Sequence, residues 1–243
     1  QRLAEETFQR KTLSFYRYII MEDASKFRYE LYIKLTELNC LGRIYIAREG
    51  INAQMSVPEH NMVDFLDFLE STKYLKDMPI KYAIEDDGKS FYKLIVRLRN
   101  RILADGLDDN AYDVTNVGKH LTAIEFHELA KDENTLVIDM RNRYESEIGH
   151  FKRAYCPDVD TFREEIQLVS EKFKNNKEQK VLLYCTGGIR CEKASAYLKH
   201  EGFKDVNQLY GGVIEYARQI QKSGLESEYI GKNFVFDNRM GEK

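Results

Sequence analysis

The 243 residues carry 37 basic and 40 acidic side chains, a net charge of −3, so no global positive field favours nucleic acid and any such contact needs a local patch. A chain that is 43% hydrophobic and 32% charged has globular composition, and at this length it predicts two domains of roughly 100 to 130 residues. No stretch approaches the ~18 consecutive apolar residues of a membrane span, no signal peptide is visible, and a start at Gln1 rather than Met fits removal of the native N-terminus.

Residues 13–20 are rich enough in aromatic and β-branched side chains for a strand, and residues 24–38 place Phe27, Leu31, Leu35 and Leu38 at helical spacing. Strands are expected at 44–47 and 51–57, joined by a turn near Glu49 and Gly50. Pro58 is expected to open a second helix with Met62, Phe65, Leu66 and Leu69 as its apolar stripe. Strands at 80–84 and 92–98 close the unit. The order β-α-β-β-α-β is that of the ferredoxin-like split unit, a scaffold that names no function by itself.

The most basic segment of the chain holds Lys89, Lys93, Arg97, Arg99 and Arg101, with no acid between Lys89 and Ala104. On a strand, Arg97, Arg99 and Arg101 share one face, either as a row of phosphate contacts that would be salt-dependent or as an ordinary solvated strand face. Glu49 is the acid of this half that invites testing, as a polar tip aimed at a partner or as a plain hairpin turn.

The acidic stretch 105–110 reads as the start of a linker over residues 105–118. Beyond it helices alternate with short apolar runs at 136–140, 181–184 and 206–209, the kind buried in a parallel sheet. The fold class is therefore α/β: a ferredoxin-like α+β domain over 1–104, then a parallel-sheet α/β domain over 119–225, then a tail over 226–243. Histidines 60, 120, 127 and 200 fall in apparent surface helices or loops without metal-ligand spacing, and His150 reads as a turn or packing residue rather than a general base.

The run Cys185, Thr186, Gly187, Gly188, Ile189, Arg190, Cys191 follows the apolar strand 181–184 and precedes a helical stretch. A free thiol titrates at roughly 8.5, and a helix N-terminus with a neighbouring guanidinium lowers that. Gly187 and Gly188 lack a Cβ, so they can adopt positive φ and turn N–H groups inward, while Arg190 supplies permanent charge. Cys185 is thus the candidate nucleophile. Only four residues separate it from Arg190, a shorter loop than cysteine phosphatases use, and one that suits a sulfur atom better than a phosphoryl group. Cys191 is either a helix residue packed beneath the loop or a resolving thiol; Cys40 and Cys156 read as structural. With no zinc pairs and no need for disulfide staples, a reactive thiol implies a reducing, cytoplasmic setting.

Together with Glu192-Lys193-Ala194-Ser195 and Leu209-Tyr210-Gly211-Gly212-Val213, this loop resembles a rhodanese domain, whose cysteine carries a persulfide. Val137-Ile138-Asp139-Met140-Arg141-Asn142, Tyr144-Glu145 and Gly149-His150-Phe151-Lys152-Arg153-Ala154 match the rhodanese blocks in order. Gly42-Arg43-Ile44, Ala47-Arg48-Glu49-Gly50-Ile51-Asn52 and the tail Phe234-Val235-Phe236-Asp237-Asn238-Arg239-Met240 narrow the resemblance to rhodanese-type tRNA uridine hydroxylases. Many members of that family extend past this tail into a cysteine-containing segment.

The resemblance implies oxidation of the wobble uridine to 5-hydroxyuridine with molecular oxygen as co-substrate, Cys185 and Arg190 as the family's active-loop cysteine and arginine, and Asp139 with Arg141 as architectural support. It also implies a tRNA anticodon arm as partner, with Lys93, Arg97, Arg99, Arg101 and Glu49 as candidate contacts, and a sulfur donor or thiol reductant. No organic cofactor or metal is readable from the residues. Read from the loop alone, the alternative is a persulfide-forming sulfurtransferase of the thiosulfate type.

Overall fold

In the computed structural model, which describes residues 6–83, 90–107 and 112–233, contacts divide the chain between Leu103 and Ala104 into two units. In the first, β1 (Arg10–Tyr18) leads to α1 (Ala24–Glu37), whose N-terminus is capped by Asp23 accepting from the Lys26 N–H at 2.9 Å. That cap satisfies one of the helix's orphan donors. β2 (Leu41–Ala47) and β3 (Gly50–Pro58) form a hairpin, α2 (Met62–Ser71) follows, and β4 (Lys81–Tyr82) and β5 (Leu94–Leu98) complete a sheet ordered β4-β1-β3-β2-β5. The first four strands give the split ferredoxin-like unit; β5 adds a fifth strand, parallel to β2.

One face of this sheet is the core. Leu13, Phe15, Ile44, Ile46, Ile51, Ala53, Met55 and Val96 meet Phe27, Leu31 and Leu35 of α1 and Phe65 and Leu69 of α2, and each large side chain so buried is worth about 1.5–3 kcal/mol. Two expectations change. Pro58 ends β3 rather than opening the helix, because a single 3₁₀ turn, Glu59–Asn61, intervenes before α2. Leu66 is exposed, since the second helix turns only Phe65 and Leu69 fully inward. Gly50 sits where β3 approaches β1 closely: with φ +146°, a Cβ there would lie 2.0 Å from the Arg17 carbonyl oxygen.

The second unit is a four-stranded parallel sheet ordered β6-β10-β9-β7, built from β6 (Lys119–Leu121), β7 (Leu136–Asp139), β9 (Lys180–Tyr184) and β10 (Asp205–Leu209). Between them run α3 (Ala123–Ala130), α4 (Arg143–Ser146), α5 (Phe162–Lys172) and α6 (Ile189–His200), and α7 (Gly212–Ser223) follows β10. Leu182 and Tyr184 join Phe126 of α3 and Val213, Tyr216 and Ile220 of α7 in one core, while Val181 and Leu183, of opposite parity, are buried on the other face. β8 (Gly149–Phe151) pairs antiparallel with β11 (Tyr229–Gly231), so the first residues of the expected tail belong to this unit.

Two polar residues differ from their sequence reading. Asp105, placed by composition in a solvated linker, is 1% exposed and accepts from the equally buried Lys193 Nζ at 2.9 Å, because an ammonium on the inner face of α6 requires a counter-charge. His127, read as a surface residue, is 1% exposed with Nδ1 2.9 Å from the Tyr216 hydroxyl. Residues 108–111, Ile84, Lys89 and the 234–240 motif lie outside the described residues. Among the described residues no helix is long and apolar enough to cross a membrane.

Candidate active site at the carboxyl end of the parallel sheet

Parallel strands deliver loops to the carboxyl edge of the sheet, where open α/β sheets place their sites. β9 ends at Tyr184, and the next residue is Cys185. Gly188 takes φ +102° and caps α6, aiming its N–H at the Cys185 Sγ from 3.0 Å. Of the two loop glycines, Gly188 alone uses positive φ. Thr186, Gly187 and Ile189 complete the loop and are half-buried, and Cys185 and Cys191 are both wholly buried.

Burial by itself would push the Cys185 thiol upward. The Cys191 thiol donating to its sulfur, the Arg190 guanidinium, and the backbone N–H groups of Cys191 and Gly188 outweigh that and hold it at about 5. Cys191 moves oppositely: burial, together with donation to Cys185, keeps it protonated. The pair is thus one thiolate and one thiol. Cys40 and Cys156 lack such an environment, and burial pushes them to about 12 and about 11.

Arg190 does not face the sulfur alone. Its Nη1 and Nη2 donate to Glu145 at 2.5 and 2.9 Å, Nη2 also reaches the Thr186 hydroxyl at 3.1 Å, and that hydroxyl donates to Glu145 at 3.0 Å. Glu145 is fully buried; burial opposes its ionisation, but Arg190 prevails and holds the carboxyl below its ordinary range. A bidentate pair fixes the guanidinium plane in one orientation. The family-like segment around Tyr144 contained Glu145, yet its partnership with Arg190 spans 45 residues of sequence, which no local pattern exposes.

Two further features brace the loop. Arg141 Nε and Nη2 donate to Asp139 at 2.8 and 2.7 Å, and Asp139 also accepts from the Tyr184 hydroxyl at 2.7 Å. Arg141 reaches on to the Gly149 carbonyl at 2.6 Å and the Tyr229 hydroxyl at 3.1 Å, tying β8 and β11 to the strand that carries Cys185. On the other side the start of α7 clasps the loop, with Val213 N–H on the Cys185 carbonyl at 3.0 Å and Ile214 N–H on that of Thr186 at 3.3 Å. Gly212 allows this approach: its φ is +68°, and a Cβ there would lie 2.5 Å from the Thr186 oxygen.

Glu165 was not singled out by the sequence. It occupies the inner face of α5 with Phe162, Ile166 and Val169, is 0% exposed, and neither carboxyl oxygen has a hydrogen-bond partner among the described residues. Burial drives it well above the ordinary carboxylate range, Arg190 opposes, and Asp139, Glu145 and Cys185 add to the rise. Glu165 therefore sits in the field of the loop with its ionisation disfavoured. An acidic residue at a core position of an amphipathic helix was the signal available for it. Glu165→Gln is expected to leave the Cys185 titration near 5, because a carboxamide and an un-ionised carboxyl carry equal charge. A thiolate absorbance midpoint lowered by a full pH unit in that variant would mean that the carboxyl is ionised.

The remaining sequence candidates lie in the first unit. Arg97 is exposed on β5; Arg99 extends the same register by one residue, its N–H on the Ile46 carbonyl at 2.8 Å; Lys93 is exposed just before the strand. Arg101 falls after a bend and is half-buried, so the expected row of three arginines is a row of two. Glu49 lies in the two-residue turn between β2 and β3, and its carboxylate accepts from the Ile102 N–H at 2.8 Å, tethering the segment after β5. Among the described residues no group of three or more His, Cys, Asp or Glu side chains is placed to hold a metal.

A parallel sheet that hands a cysteine loop to a helix start, braced by a buried Asp–Arg pair, defines a rhodanese-like domain. Residues 122–219 match the rhodanese-like domain, and residues 10–102 match the UPF0176 acylphosphatase like domain. Over its full length the chain is 57% identical to a tRNA uridine(34) hydroxylase of Leptospira interrogans serogroup Icterohaemorrhagiae and 49% identical to one of Yersinia enterocolitica, spanning 66% and 69% of those proteins respectively. The chain belongs to the tRNA uridine(34) hydroxylase family.

Proposed function

We propose that this protein hydroxylates the wobble uridine of tRNA to 5-hydroxyuridine and that the thiolate of Cys185 is indispensable to the reaction. The observation that carries the reading is a buried sulfur held ionised by Gly188, Cys191 and Arg190 in a chain whose relatives, matched over its whole length, are named as tRNA uridine(34) hydroxylases. Hydroxylation replaces a C–H bond by a C–OH bond, a two-electron oxidation of the base. With molecular oxygen as oxidant, one atom enters the uridine and the other leaves as water; two thiol equivalents become a disulfide and supply the remaining electrons and protons. Cys185 and Arg190 form the reacting loop, Thr186, Gly187, Gly188, Ile189 and Cys191 shape it, and Glu145 positions Arg190. Lys93, Arg97 and Arg99 serve phosphate contacts, with Arg101 at the edge of that patch.

The test is genetic and chemical together. Deletion of the gene should remove 5-hydroxyuridine and its derivatives from digested tRNA analysed by mass spectrometry, and the wild-type gene should restore them. Unchanged hydroxylation accompanied by altered thiolation or persulfide content would overturn this reading in favour of sulfur transfer, in which the thiolate attacks a donor's sulfane sulfur, an S–S bond forms, and the donor departs with its electron pair.

A further inference from the structure

The core of the first unit packs on one face of its sheet. By strand alternation, the face opposite the core presents Ser14, Tyr16 and Tyr18 from β1, Asn52 and Gln54 from β3, Arg43 and Tyr45 from β2, Ile95 and Arg97 from β5, and Lys81 from β4. The ladders align four of them straight across the sheet: Tyr16 opposite Asn52, Asn52 opposite Tyr45, Tyr45 opposite Arg97. Tyr16, Asn52 and Tyr45 are half-buried, and Arg43, Arg97 and Arg99 are exposed. None of the five strands contains an aspartate or glutamate. In a chain of net charge −3, this face is a local concentration of cations.

The cations are placed with the rings. Arg99 lies 5.5 Å from the centre of the Tyr45 ring and Lys81 lies 4.8 Å from that of Tyr16, while Tyr18 packs edge-on to Tyr16 at 6.5 Å. Aromatic rings on a sheet stack unpaired bases, as RNA-recognition sheets do; neighbouring cations contact the phosphates between them, and amides such as Asn52 and Gln54 can read base edges.

We infer that the face of this sheet opposite the core, centred on the row Tyr16, Asn52, Tyr45 and Arg97, is a binding platform for the unpaired nucleotides of an RNA loop. The inference rests on the tRNA reading above and assigns it a docking surface that the basic segment alone did not define. Tyr45 and Tyr16 are the stacking residues, and Arg43, Arg97 and Arg99 are the phosphate contacts.

The probe is a synthetic anticodon stem–loop RNA with an unmodified wobble uridine, titrated against the full chain, with a fully paired RNA duplex as control. Tyr45→Ala is expected to weaken stem–loop binding about tenfold and Tyr45→Phe to retain it; duplex binding should change little in either. Arg97→Gln should lower the salt slope of binding by roughly 0.7, one phosphate contact on a single strand. Circular dichroism and melting temperature confirm that each variant is folded. If the wild-type chain binds the stem–loop and Tyr45→Ala binds it equally well, the platform is refuted while the tRNA reading stands. Failure of the wild-type chain to bind the stem–loop at low salt overturns both. If the wild-type chain sediments as a dimer and Tyr45→Ala as a monomer with RNA affinity intact, the face is a protein interface and the platform is refuted.

Discussion

Cys185→Ser is expected to fold normally and to form no detectable 5-hydroxyuridine, a loss of at least about a thousandfold, as when the nucleophile of a covalent mechanism is removed. Serine preserves the volume of the site and the hydrogen bond from Gly188, but its hydroxyl does not ionise near neutral pH, so only the anion is lost. A thiol held at about 5 is ionised at neutral pH in all but about one molecule in a hundred, whereas a free thiol at roughly 8.5 is ionised in only about one in thirty. The thiolate absorbance of the wild-type chain should therefore rise through a midpoint near pH 5 and be missing from Cys185→Ser. Hydroxylation should fall as pH drops through the same point, because the group is protonated below it. A midpoint near 8.5, or full complementation by the serine variant, would remove the sulfur from the mechanism.

The second large effect concerns Arg190. Its partner Glu145 is fully buried, and removal of one member of a buried pair strands the other, at a cost of about 3–5 kcal/mol. Arg190→Ala should accordingly lower the melting temperature by about 10 °C. The Cys185 midpoint should also move upward, since the guanidinium is one of the influences that outweigh burial there. The double variant Arg190→Ala/Glu145→Gln separates the two roles: with both charges gone, most of the stability returns while the thiol stays weakly acidic. Should Arg190→Ala melt with the wild type and still titrate near 5, neither the pair nor its field matters as argued.

What was legible in the chain follows from the range of the forces concerned. The Cys185 loop could be read because strand, glycine and helix start lie within a few residues, and local backbone geometry alone brings N–H groups to the sulfur. The helical stripe Phe27, Leu31, Leu35 and the apolar runs of the parallel sheet were equally local, since the periods of 3.6 and 2 are written in adjacent residues. Where a boundary shifted, as at Pro58, a single extra turn separated strand from helix.

The features that stayed hidden are pairings across long separations. Glu145 meets Arg190, Asp105 meets Lys193 over 88 residues, and Tyr229 reaches Arg141 from the other end of the second unit. A buried charge must be neutralised, but sequence does not say by which residue. The sheet face opposite the core is the fullest instance: Tyr16, Asn52, Tyr45 and Arg97 belong to four strands, and only the register of the ladders sets them in one row. The sequence by itself determined the two folds and the candidate sulfur, because these depend on neighbours along the chain. The tertiary structure alone decided which charges are paired, which acid is buried without a partner among the described residues and which side chains share one row of the sheet, because burial and strand order depend on neighbours in space.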